Sequence, residues 1–170
     1  MARFHNIRPA SFTAKPFALF DKGWPLLTCG DKGSFNTMTV SWGMAGTLWN
    51  LPVVSVFVRP TRYTWQFAEK SELFTLSFLP REYEQLLLFC GTRSGRDVDK
   101  IRETGLTPCR GSGGCVYFAE ARLVIECRQI YWQDITPRNF LDAGINQNYP
   151  KKDYHRNYVG RVIRVLRRRA

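Results

Sequence analysis

Five stretches of this chain carry the marks of β-strands, while the helical segments between them are short and irregularly placed. That arrangement limits the fold more than any other feature. Residues 35–43 alternate in part between polar and apolar types, 53–58 form a β-branched run entered through Pro52, and 72–79 alternate again. Residues 121–135 are long enough for a bent or bulged strand, and 158–166 offer Val159, Val162, Ile163 and Val165 for burial. The regular strand–helix–strand order that a parallel sheet needs is missing. The expectation is therefore a mainly β, α+β chain, an antiparallel barrel or sandwich with short helices packed outside. Thr61 can cap a helix through Tyr63, Trp65, Phe67 and Ala68, and Pro80 can open another over 81–90 that Gly91 stops. A third helix is signalled by the capping-box spacing of Ser94 and Asp97, with Gly105 placed to accept a positive φ.

The 170 residues hold no internal repeat, low-complexity tract or Pro/Ser linker, so they read as one domain, 1–170, with its core over about 15–166 and a basic end at 167–170. Aromatics at 14% supply enough burial to offset an ordering entropy of roughly 1–2 kcal/mol per residue, which excludes a disordered chain. The longest apolar runs fall far short of the roughly 18 residues a bilayer crossing needs, and no run of signal-peptide length stands at the start. A cytoplasmic protein without membrane contact is expected. Five cysteines, at 29, 90, 109, 115 and 127, form no C-x-x-C pair, so neither a disulfide framework nor a metal site is expected. Residues 151–170 hold eight Lys and Arg against one Asp, and so carry +7 of the net +11. A basic end of this kind can touch nucleic acid, but no nucleic-acid motif accompanies it, and a solvated end is the preferred reading.

Nucleotide-loop, metalloprotease and serine-hydrolase motifs are all absent. Gly111, Gly113 and Gly114 precede Val116, Tyr117 and Phe118, which reads as a hairpin turn and not a phosphate cradle. Two runs carry chemistry. If 36–42 is extended, Thr37, Thr39 and Ser41 share one face, and Asn36, Met38, Val40 and Trp42 the other. A hydroxylated edge beside an aromatic one suits a flat polar heterocycle, though an ordinary half-buried strand fits the same pattern. The segment Arg59-Pro60-Thr61-Arg62-Tyr63-Thr64 gathers two guanidinium groups and two hydroxyls at an expected helix start. A phosphomonoester could take charge-assisted bonds from Arg59 or Arg62 and a hydroxyl bond from Thr64, with Lys100 adding a point charge; a capped surface helix with solvated arginines is the alternative. His155, beside Asp153, Tyr154 and Tyr158, reads as a solvated loop histidine, and Cys90, at a helix end before Gly91, as a poor thiolate.

The order of these segments resembles the flavin reductase-like family, the FMN-binding split-barrel proteins that include the flavoredoxins. The resemblance rests on N-T-M-T-V-S-W-G at 36–43, P-V-V-S-V-F-V-R-P-T-R-Y-T at 52–64, C-G-T-R-S-G-R-D-V-D-K at 90–100 and D-Y-H-R-N-Y-V-G-R-V at 153–162, and it covers about 15–166. It implies a homodimer of antiparallel split β-barrels binding FMN. Asn36, Met38, Thr39, Ser41 and Trp42 would border the ring or ribityl chain, and Arg59, Arg62, Thr64 and Lys100 would surround the phosphate. A reductase of this kind takes reducing equivalents from NAD(P)H and passes them to flavin, oxygen or an electron-transfer partner, and no catalytic acid/base pair is required of the chain. A non-enzymatic FMN-dependent electron carrier is the alternative function, and a nucleic-acid-binding barrel using the basic end a more distant one.

Overall fold

The structure, a computed structural model, describes residues 3–169. Along them run β1 (Phe4–Ile7), α1 (Pro16–Asp21), β2 (Leu26–Asp31), β3 (Ser34–Thr39), β4 (Gly43–Leu48), β5 (Leu51–Val58) and α2 (Tyr63–Ala68). There follow β6 (Leu73–Phe78), α3 (Glu84–Thr92), α4 (Lys100–Thr104), β7 (Pro108–Arg110), β8 (Val116–Phe118), β9 (Leu123–Asp134) and β10 (Arg156–Arg168). The main sheet has the order β3-β2-β6-β9-β10-β5-β4, antiparallel throughout, and β1 pairs with the far end of β10 beyond β5. Strands β7 and β8 form a separate hairpin around the glycine turn, as the sequence suggested.

Alternation explains where the core sits. On β2, Leu26 faces one apolar cluster and Leu27 the other, and on β9 Val124 and Ile125 divide in the same way. This half of the sheet is therefore buried on both faces. One face packs with Val54, Val56, Phe74 and Tyr158, and the other lies under Leu87, Cys90, Leu106 and Phe118. The expected bend in the long strand is real, and its partner shares it: the register skips Ile130 on β9 and Ile163 on β10, each an extra residue of a bulge.

Several local expectations need correction. The run 35–43 is not one strand: β3 stops at Thr39, the chain turns away through 40–42, and β4 starts at Gly43. Helix α2 takes Arg62 as its N-cap and receives no side-chain cap from Thr61. Helix α3 runs through Gly91 to Thr92. Ser94 and Asp97 form a turn, not a helix start; α4 is capped by Asp99, whose Oδ1 accepts from the amides of Ile101 and Arg102 at 3.0 and 3.1 Å, and Gly105 closes it at φ 68°.

Candidate functional site

Three helices meet the end of β3 and bring cations together there. Asn36 and Met38 lie two residues apart on β3 and so share a face; the Asn36 amide donates to the Thr64 hydroxyl of α2 at 2.7 Å. Arg62, just ahead of α2, donates to the carbonyl of Gly91 in the last turn of α3. Lys100, the first residue of α4, is buried, with its ammonium donating to the carbonyls of Cys90 at 2.7 Å and Thr37 at 2.8 Å. Two cations thus hold the carbonyls that close α3, where the helix dipole favours positive charge. Between them lies a hollow of about 60 Å³, lined by Asn36, Met38, Arg62, Thr64 and Lys100 together with Thr61, Tyr63 and the loop 92–95.

The electrostatics of the hollow are one-sided. None of its lining residues is acidic, and among the described residues no carboxylate lies within ion-pair distance of Arg62 or Lys100. The Lys100 ammonium is pushed down to about 8, chiefly by burial, with Cys90 opposing the shift and the nearby Arg62 charge adding to it. Arg62 is likewise lowered, first by burial and then by Arg59. Desolvated cations that repel each other without a counter-ion are stabilised by any anion that enters.

The nine residues named from the sequence therefore divide. Asn36, Met38, Arg62, Thr64 and Lys100 line this hollow. Arg59 does not: its guanidinium is engaged by Asp153 at 2.6 Å and the Asn148 carbonyl at 2.7 Å, and it lies over the Tyr149 ring. Thr39 donates its hydroxyl to the Leu87 carbonyl of α3. Ser41 and Trp42 lie past the strand's end, where Ser41 is exposed and the Trp42 ring packs at a tilt of 41° against His155 with centroids 4.6 Å apart. Thr37, expected on a hydroxylated ligand edge, is buried and bonded to Thr28 and to the Leu27 carbonyl.

One residue read as bland behaves otherwise. His155 is buried rather than solvated, bonded through Nδ1 to the Tyr149 hydroxyl at 2.9 Å, and burial pushes its pKa down to about 4, so it is neutral at neutral pH. Cys90 is a poor thiolate, as expected: burial raises its pKa against an opposing contribution from Lys100. Thr61, Ser94 and Gly95 also line the hollow. Gly95 carries a sequence signal only in hindsight: a Cβ there would stand 2.1 Å from the Asn36 side-chain oxygen, so a larger residue would push Asn36 out of its place beside Thr64.

The sequence profile of the flavin reductase-like domain matches residues 17–168. A protein of Aeropyrum pernix without an assigned function is 30% identical over 103 residues, 59% of this chain but only 39% of that relative. Among solved structures, the FMN-binding domain of a flavin reductase-like enzyme from Shewanella baltica superposes with a TM-score of 0.69 at 20% identity, over 98% of this chain and 78% of that one. Flavoredoxin of Desulfovibrio vulgaris gives 0.66 at 23% identity, over 89% and 70%. At these identities the structural likeness speaks for the fold.

Proposed function

The chain belongs to the flavin reductase-like domain family, and from that premise we propose that it is an FMN-binding oxidoreductase passing reducing equivalents from NAD(P)H to free flavin or another acceptor. The observation that carries the reading is the pair Arg62 and Lys100, the first half-buried and the second buried, without a carboxylate between them, set around a hollow sized for a single small anion. A terminal phosphate fits that description by charge, by volume and by the hydroxyl of Thr64 at its side.

In this reading Arg62, Lys100 and Thr64 hold the phosphate and Asn36 and Met38 border the ribityl chain, while Thr39, Ser41 and Trp42 stand nearer the ring. Bound flavin supplies two-electron chemistry that no side chain of the protein could perform. The protein's own work is binding and orientation. Asn36 fixes the Thr64 hydroxyl, and the Cys90 and Gly91 carbonyls fix the two cations. Trp42, propped by the neutral His155, offers a flat wall that brings no charge beside a redox centre. We propose further that the sheet curls into a split barrel and that two copies pair. Trp49, Tyr131 and Trp132 expose 56%, 42% and 50% of their surface, apolar area that a second copy would cover.

The visible absorption spectrum of freshly purified protein tests the reading: flavin bands are expected, and their absence even after incubation with FMN overturns it. Arg62→Ala should weaken FMN about tenfold or more while leaving riboflavin, which lacks the phosphate, nearly unchanged. Equal loss for both ligands would remove the phosphate assignment. Reduction of the bound flavin by a protein donor but not by NADH or NADPH would make the chain an electron carrier.

A further inference from the structure

Strand pairing collects arginines on one face of the β9–β10 ladder. Residues 122, 124, 126 and 128 alternate onto a common face. Across the ladder Arg128 stands opposite Arg161, Glu126 opposite Arg164 and Val124 opposite Leu166. One step further on, the Arg168 amide donates to the Arg122 carbonyl at 2.9 Å, which sets those two arginines opposite each other as well. The face therefore carries two arginine pairs about 20 Å apart at the usual strand rise. Arg3 joins the second pair, because the Arg169 amide donates to its carbonyl at 2.9 Å. Half of these cations come from outside the basic end of the chain: Arg3, Arg122 and Arg128 are brought to Arg161, Arg164 and Arg168 by the ladder.

Like charges directly opposite each other destabilise a sheet, and the protein does not offset them here. Arg122, Arg128, Arg161 and Arg168 are exposed, and no carboxylate lies within ion-pair distance of them among the described residues. Glu126, the acid between the two pairs, is buried. It accepts from the Ser112 amide at 3.2 Å and lies 3.8 Å from Arg164. The pairs are short of anions, and at this separation one small ion cannot serve both.

The surroundings of the pairs select among polyanions. Protein interfaces centre on aromatic and aliphatic anchors with few charges, and a membrane surface takes up an apolar face. Strand β10 exposes one large apolar side chain, Ile163 of the bulge, and residues 122–128 expose none. Single-stranded nucleic acid is held on stacked aromatic rings, and these stretches expose no ring. Guanidinium groups, by contrast, match phosphate oxygens two at a time, and interfaces with double-stranded DNA are polar and strongly positive. We propose that this face binds double-stranded DNA through its phosphates, without reading sequence, each arginine pair holding one stretch of backbone. The two pairs span about six base pairs. None of the four paired arginines lines the hollow at Arg62 and Lys100, so this activity is separate from the flavin reading.

Fluorescence anisotropy of a labelled duplex of about 20 base pairs, titrated with the full chain, tests this. With about four phosphates neutralised, log K should fall with log[KCl] at a slope of about −3.6, a loss of about a hundredfold between about 50 and 200 mM. Arg128→Ala/Arg161→Ala and Arg122→Ala/Arg168→Ala should each make the slope shallower by about 2. Both variants relieve a cross-strand repulsion, so both should keep the thermal unfolding and flavin content of the unmodified protein. Arg138→Ala/Lys151→Ala removes the same charge from the loop between β9 and β10 and should leave the slope unchanged. Duplexes of unrelated sequence should bind alike. No duplex binding at about 50 mM KCl, or an equal change of slope in all three double variants, overturns the proposal. So does tighter binding to single strands, duplex RNA, polyglutamate or anionic vesicles. Any of these results leaves the flavin reading intact.

Discussion

Arginine is placed in opposite circumstances at the two ends of α2. Beyond its C-terminus, Arg156 donates to Asp134 at 2.6 and 2.9 Å and to Glu69 at 2.7 Å, and lies 3.8 Å over the centre of the Trp132 ring. The Tyr158 hydroxyl closes the group by donating to Glu69. The Arg156 pKa is raised, chiefly by the Asp134 hydrogen bonds, and that of Asp134 is lowered by the same contact. At the other end, Arg62 and Lys100 bond only to carbonyls, and both are lowered by burial. One cluster is electrostatically complete as folded and ties α2 to β10. The other is short of one anion, and that shortage marks a place to bind rather than a place to brace.

The largest effect expected from this contrast is on ligand affinity. Lys100→Met should weaken FMN about 10- to 100-fold, because a buried charge-assisted contact contributes roughly 1.5–3 kcal/mol. The same change should shift the melting of ligand-free protein by less than about 1 kcal/mol, since relief of desolvation offsets the two lost carbonyl bonds. Arg156→Ala should do the reverse, costing about 2 kcal/mol in urea unfolding and leaving FMN affinity within about twofold. If the two variants behaved alike in both measurements, the distinction between bracing and binding would fail.

Asp99→Ala sharpens the comparison at smaller scale. It removes the cap of the helix that carries Lys100, and should cost about 1 kcal/mol of stability with a few-fold loss of FMN affinity. The least effect, and the most specific, is in pH dependence. Lys100 titrates near 8 in the ligand-free protein, while the unfolded chain holds that proton to about 10.4. Because the unfolded state binds more protons in this window, the lysine's contribution to ligand-free stability rises with pH from about 8 to 10.4. FMN affinity moves the other way. It is full below about pH 8 and falls above it by up to about tenfold per unit, because the phosphate must first recover a proton for Lys100. Calorimetry in buffers of different ionisation enthalpy should record that proton uptake with FMN, and none with riboflavin or with Lys100→Met.

Much of the sheet was legible because its strands carry strong punctuation: Pro52 at the start of β5, Pro80 after β6, and β-branched runs within β5 and β10. Strand β2 was not, because Leu26, Leu27, Thr28 and Cys29 are all buried and a strand covered on both faces shows no polar alternation. The run after Asn36 hid a break, since Val40 is buried whether or not the strand continues. At the site, local spacing pointed to Arg62, Thr64 and Lys100 but also to Arg59, whose partner Asp153 lies 94 residues away and leaves no trace in the local pattern. His155 was misjudged for the same reason in part: Trp42, which packs on it, comes from a distant part of the chain, while its other partner, Tyr149, lies in the loop just before it.

The position of β10 in the chain has a consequence for biosynthesis. It is the last strand in sequence, yet it joins β9 on one side to β5 and β1 on the other, so the two halves of the sheet have no ladder between them until it arrives. On the ribosome, β5 and β9 therefore emerge with their pairing edges bare and wait for residues 156–168 to leave the exit tunnel. Nascent chains stalled before that point should be protease-sensitive and attract chaperones, and should become resistant once the last strand is clear.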